Sequence, residues 1–159
     1  MFNVVLVEPE IPPNTGNIAR LCLAADAHLH LVGPLGFSLD DKYLRRAGMD
    51  YWEQVKVTVW ENWDALYAAH LAHSRHFLLT TKTDRPYYEG AFEPGDYLVF
   101  GRETRGLPES LLASAGRKRL LTIPMAPAAR SLNLATAAGI VLFEALRQVR
   151  VNTTFDADA

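Results

Sequence analysis

Apolar and polar positions along the chain alternate between two rhythms. "FNVVLV" near the start, "HLHLVG", "VKVTVW", "HFLLTTK", "DYLVFG" and "RLLTIP" are short, nearly continuous apolar runs, the pattern of strands covered on both faces. Helical spacing falls between them. Ile18, Leu21, Cys22 and Ala25 recur at i, i+3, i+4 and i+7. Asn14 precedes that stripe and reads as its N-cap. Asp40 and Asp41 open a second helix through Leu44 to Ala47, which Gly48 ends. The stretch from Asn62 to Leu71 is a third. Pro108 suits the first turn of the helix "PESLLAS". Ser131 is placed to cap the last helix, "LNLATAAGIVLFEALRQVR", which leaves "VNTTFDADA" as a flexible acidic tail over 151–159. Strands alternating with helices predict one α/β domain over 1–150 with a mainly parallel sheet.

Ligands of such sheets sit beyond the carboxyl ends of the strands. Three loops qualify: 8–17, 101–108 and 124–133. The first, "IPPNTGNIAR", sets Asn14, Asn17 and Arg20 at a helix start, where backbone N–H groups and the dipole favour anions. The second, "VFGRETRGLPE", has glycines at phosphate-loop spacing, but Leu107 and Pro108 stand where Lys and Ser/Thr are required. The third, "IPMAPAARSLNLA", crowds Arg130, Ser131 and Asn133 around a helix start behind two stiff prolines. Each loop alone admits a plainer reading: Asn14 a cap with Arg20 solvated, Glu103 an ion pair between two arginines, Ser131 a cap beside a chance Asn133. Three such loops at strand ends in one small domain favour a site.

Composition narrows the classes. The 159 residues suit one domain, and 49% apolar with 21% charged residues is ordinary for a globular protein. The longest near-apolar run, Leu134 to Phe143, is too short to cross a bilayer, and no signal peptide is visible. The one cysteine, Cys22, allows neither an internal disulfide nor a cysteine metal cluster. These features fit the cytoplasm. The formal net charge of −2 means that a polyanion would have to meet a local basic patch. Candidates are Lys42, Arg45 and Arg46; Lys82 and Arg85; Arg102 and Arg105; and Arg117, Lys118 and Arg119.

"NTGNIAR", "LVFGRETRGLP" and "IPMAPAARSLNLATAAGIVLFE" resemble, in order and spacing, the three signature motifs of the SPOUT class of RNA methyltransferases. The resemblance covers roughly residues 2 to 150. "EPEIPPNTGNIARLC" and "DDKYLRRAGMDYWE" narrow it to the members that methylate the ribose 2′-hydroxyl of the wobble cytidine or uridine of tRNA. The resemblance implies a C-terminal trefoil knot, which elementary topology rules would never propose. It implies S-adenosylmethionine as cofactor, S-adenosylhomocysteine as product, and no metal. It places the cofactor against Leu79, Gly101, Ile123, Met125, Ser131 and Leu132, with Gly101 leaving room for close backbone approach. The catalytic group it implies is Arg20, Asn14, Glu103, Ser131 and Asn133: Asn14 orienting Arg20 or the substrate, Glu103 holding Arg20 or the cofactor region. Arg20, Arg45, Arg46 and Lys82 would meet tRNA. A chain this short lacks the extra RNA-binding domain of many relatives, so a homodimer pooling basic patches is expected. The last helix, with Ala135, Ala137, Ala138 and Gly139, is the expected interface, unless it is buried wholly within its own subunit. Two other readings stay open: a relative acting on another ribose of tRNA or rRNA, and a knotted RNA-binding module without catalysis.

Overall fold

Continuous apolar strands need cover on both faces, and the architecture provides it. The computed structural model describes residues 1–40 and 50–156. Its elements are β1 (Asn3–Val7), α1 (Pro12–Ala24), β2 (His28–Val32), β3 (Val57–Trp60), α2 (Trp63–Ala69), β4 (His76–Leu79), β5 (Tyr97–Phe100), α3 (Glu109–Ala115), β6 (Leu120–Leu121) and α4 (Leu134–Asp156). The six strands form one sheet in the order β3-β2-β1-β5-β4-β6, and every pairing is parallel. Alternate residues point to opposite faces. Val4, Leu6, Leu29, Leu31, Leu98 and Phe100 join Ile18 and Cys22 of α1 and Ala138, Val141 and Leu142 of α4 in one core. Val5, Val7, Val32, Leu78 and Val99 join Leu66, Leu107 and Leu112 in the other.

The α/β class and the parallel sheet agree with the sequence pattern; several element ends do not. Helix α1 starts at Pro12, with Ile11 in the cap position and no side-chain cap there. Prolines suit the first positions of a helix because the N–H they lack has no partner there anyway. Asn14 is therefore a buried residue inside the first turn, not the N-cap. Asn62 does cap α2, its Oδ1 accepting from Ala65 N at 3.0 Å, but the helix ends at Ala69. Strand β6 is two residues long at the sheet edge. At α4 the cap is Asn133, whose Oδ1 accepts from Ala135 N (2.9 Å) and Thr136 N (3.2 Å); Ser131 lies exposed two residues earlier. Helix α4 then runs on through Asp156, past the end expected at Arg150. The helix expected from Asp41 to Ala47 lies outside the described residues.

Of the small residues of α4, Ala135 and Ala138 are buried and Ala137 and Gly139 half-buried. A Cβ on Gly139 would stand 3.3 Å from Leu21 Cδ1, so the close approach at Gly139 is to α1 of the same chain. Apolar side chains remain exposed on both helices, at Leu23 (38%) and Phe143 (47%). Among the described residues no helix is long and apolar enough to cross a membrane.

Candidate active site

In the order β1-β5-β4-β6, β1 and β5 are neighbours and β4 lies between β5 and β6, so the three polar loops leave the same stretch of the sheet. The loops after β1, β5 and β6, with the segment after β4, surround a cavity of about 550 Å³. Leu79, Gly101, Ile123, Met125, Ser131 and Leu132 all line it, as do Asn14, Glu103, Asn133 and Lys82. The sequence reading missed Thr80, Thr81 and Thr122, which also line it. Threonines after a strand carry no signature; only their position beside β4 and β6 could have pointed to them. Arg105 and Arg130 line it as well, and the sequence showed them only as members of basic or polar clusters.

The loops are tied by carboxylates and amides. Glu103 Oε2 accepts from Glu10 N (2.8 Å) and Oε1 from Ile11 N (3.0 Å), just ahead of α1. Helix α1 has no acidic residue in its first turn and no side-chain cap of its own. Glu103 supplies both from 92 positions away, an anion at the positive end of the helix. The tie is reciprocal: the Glu10 carboxylate accepts from Thr104 N (3.2 Å) and Thr104 Oγ1 (2.9 Å). Arg102 adds an ion pair to Glu8 at 3.1 Å. Asn14 donates through Nδ2 to Glu103 (3.4 Å), and its Oδ1 accepts from Asn133 Nδ2 (3.0 Å). Asn133 thus caps α4 with one side of its amide and holds Asn14 with the other.

Asn14 is thus bonded to Glu103 and Asn133, and Glu103 to the entry of α1. Gly101 lines the cavity, and its own loop also requires a glycine there. A Cβ there would lie 2.2 Å from Leu107 N and 2.3 Å from Gly106 C, so the space is filled by the chain's own backbone. The loop folds back at Gly106, which has φ +65° and donates its N–H to Arg102 O at 2.9 Å.

Arg20 stands apart from the cavity lining, on the exposed face of α1. Its Cζ lies 4.9 Å from the centroid of the Tyr51 ring. The Tyr51 hydroxyl donates to Gly16 O at 2.6 Å. Burial raises the Tyr51 phenol above its ordinary pKa, and the Arg20 charge partly offsets this. Lys82, at the cavity edge, pairs with Glu109. Arg45 and Arg46 lie outside the described residues. Cys22 takes no part: it is buried, and burial pushes its thiol up to about 12. Among the described residues no three His, Cys, Asp or Glu side chains gather as a metal site would require.

The family model described as the SpoU rRNA Methylase family matches residues 1–143. The tRNA (cytidine(34)-2′-O)-methyltransferase of Burkholderia pseudomallei is 52% identical over 149 residues, spanning 93% of this chain and 96% of that protein. A solved structure described as giving insight into the 2-OH methylation of C/U34 on tRNA superposes with TM-score 0.86 and 45% identity, covering 94% of this chain and 91% of that one. An AdoMet-bound rRNA methyltransferase from Sinorhizobium meliloti superposes with TM-score 0.79 at 29% identity, over 92% of this chain and 56% of that one.

Proposed function

The chain belongs to the SpoU rRNA methylase family, and from that membership we propose that it methylates the ribose 2′-hydroxyl of nucleotide 34, the wobble cytidine or uridine, of tRNA. Relatives of about half identity carry this activity in their names over nearly their whole length. The observation that carries the reading is the cavity, which all three motif loops line.

The lining suits S-adenosylmethionine. It is roomy, apolar at Leu79, Ile123, Met125 and Leu132, and polar at Ser131, Asn133 and the threonines. S-adenosylmethionine supplies, when bound, a methyl carbon already electrophilic on its sulfonium, so no metal is called for. The protein's part is alignment and exclusion of water. The tie between Glu103, Asn14 and Asn133 fixes the three loops against one another and so presets the cavity. Arg20 orients the ribose hydroxyl and neutralises charge as it develops on the 2′-oxygen. Arginine remains protonated and is a poor base. Ser131, in the cavity lining, is assigned to the reacting groups, and Lys82, Arg45 and Arg46 to RNA phosphates.

Three further features belong to this reading. The first is a trefoil knot closed by α4. It is supported by β6 lying at the sheet edge beyond β4, while α4 packs on α1 and β5 and Gln148 bonds to Phe92 N (2.8 Å) and Tyr88 O (3.3 Å) in the β4–β5 connection. The second is a homodimer, supported by the exposed Leu23 and Phe143 on packed helices. The third is a cytoplasmic location, where tRNA is found. Incubating the purified protein with labelled S-adenosylmethionine and unmodified tRNA tests the methyl transfer. Label should enter tRNA as a 2′-O-methylnucleoside. Label entering rRNA alone would move the target, and label entering neither would leave a binding module.

A further inference from the structure

We propose that Tyr51 is a positioning residue for methyl transfer, holding the Arg20 guanidinium through its ring while leaving the arginine's N–H donors open to substrate. The inference rests on the reading of Arg20 as the group that meets the 2′-oxygen. Arg20 is an exposed side chain on a helix, with many rotamers available. Among the described residues it forms no ion pair; the contact it has is the Tyr51 ring, 4.9 Å from Cζ and within cation–π range. A carboxylate would hold arginine more tightly, but it would take up the planar donors and neutralise the charge. An aromatic face does neither. Tyr51 is itself anchored: it packs half-buried against the core, and its hydroxyl bonds to Gly16 O at 2.6 Å. Gly16 lies one turn before Arg20, so its carbonyl is also the helical acceptor for the Arg20 N–H. Tyr51 therefore spans the turn that carries the arginine, hydroxyl at its foot and ring beneath the guanidinium.

The test is a double-mutant cycle of Tyr51→Leu and Tyr51→Phe with Arg20→Ala. Tyr51→Leu should lower kcat about ten- to a hundredfold, the scale expected for a misplaced group. S-adenosylhomocysteine affinity should stay within a few-fold, and Tyr51→Phe, which keeps the ring, should recover most of the loss. In the Arg20→Ala background Tyr51→Leu should add nothing. A further tenfold loss there would overturn the inference, and so would wild-type kcat in Tyr51→Leu. Full activity in Arg20→Ala would instead remove the reading of Arg20 itself. Should Tyr51→Leu fail to fold, ultraviolet difference titration of the wild type and Arg20→Ala, referenced to Tyr51→Phe, decides. Removing the Arg20 charge should raise the Tyr51 ionisation further, and an unmoved titration would contradict the contact.

A separate observation carries a second inference: the structure assigns a phosphodiester-binding groove for the RNA substrate to a second cavity of about 560 Å³, lined by Arg75, Arg85, Arg117 and Lys118. Arg75 is taken up by Asp96 and Glu93. The other three form no ion pair among the described residues. Arg85 donates to the Lys118 and Glu89 carbonyls, which fix the guanidinium without cancelling its charge. Asp84 is the one carboxylate in the lining. Lys82 lines the first cavity and Thr83 to Arg85 the second, so Lys82 and Arg85 lie within about 11 Å along the chain. On a chain of net charge −2, the groove offers a polyanion three cations that no carboxylate pairs among the described residues. Arg117→Glu with Lys118→Glu should weaken tRNA binding and flatten its salt dependence by about 0.7–0.9 in log–log slope per lost phosphate contact. S-adenosylhomocysteine binding should not change. Unchanged tRNA affinity, or weaker binding with an unchanged slope, would overturn the assignment.

Discussion

Glu103 uses both carboxylate oxygens on donors outside its own loop, and Asn14 and Asn133 divide their amides in the same way. Removing one member therefore leaves partners without acceptors. Glu103→Ala should destabilise the fold by about 0.5–1.5 kcal/mol, the usual scale for losing hydrogen bonds that are partly open to solvent. Urea unfolding measures this, and methyl transfer should fall with it because the loops lose their register. Arg20 is the opposite case, an exposed side chain off the packed stripe of Ile18 and Cys22. Arg20→Ala should leave unfolding unchanged and S-adenosylhomocysteine affinity within a few-fold, yet lower the rate by ~10²–10³. Arg20→Lys keeps the charge without the planar fork and should remain impaired. The sequence showed which residues crowd the strand ends, because polar residues at such junctions stand out. Their partners stayed hidden, since a bond across 92 positions leaves no periodic trace.

At the scale of elements, apolar runs located all six strands, and the helix stripe on α1 placed Ile18 and Cys22 in the core. Helix starts were harder to read. Asn14 and Ser131 have the right chemistry for caps, but the prolines at 12 and 13 started α1 earlier, and Asn133 displaced Ser131 at α4. A cap is decided by backbone geometry, which residue type only favours. Asn133→Ala should cost about 0.5–2 kcal/mol through loss of that cap. The loop after β5 offers a sharper test. Because a Cβ at Gly101 would strike the backbone of Gly106 and Leu107, Gly101→Val should lower both the melting temperature and cofactor binding. Lost binding with an unchanged melting temperature would restore the simpler view that Gly101 only makes room for a ligand.

The whole molecule also carries a built-in pH dependence, at the other end of the sheet chemistry. His30 is buried on β2; Trp60 Nε1 donates to its Nδ1 at 3.1 Å, so its Nε2 carries the proton and donates to Asn3 Oδ1 at 3.1 Å. Burial, with His28 and His70 nearby, lowers its pKa to about 3, and burial lowers those of His28 and His76 too. The unfolded chain, with His near 6.5, binds protons that the fold refuses. Stability is therefore full above about pH 6.5 and is lost as pH falls toward 3, by up to about 1.4 kcal/mol per pH unit for His30. Urea unfolding at pH 7.5, 6 and 5 should show this decline, and His30→Gln should flatten it. Below the ordinary carboxylate range the Glu144–Arg147 pair adds a loss of the same sign, since Arg147 holds the Glu144 carboxyl below its usual value.

Methylation of the ribose of nucleotide 34 of tRNA is measured directly by mass spectrometry of nuclease fragments of tRNA, comparing cells that carry the gene, cells that lack it, and cells complemented with wild type or Arg20→Ala. 2′-O-methylation at nucleotide 34 should disappear without the gene, return with wild type and not return with Arg20→Ala. An unchanged methylation pattern at nucleotide 34 in cells lacking the gene would contradict this expectation.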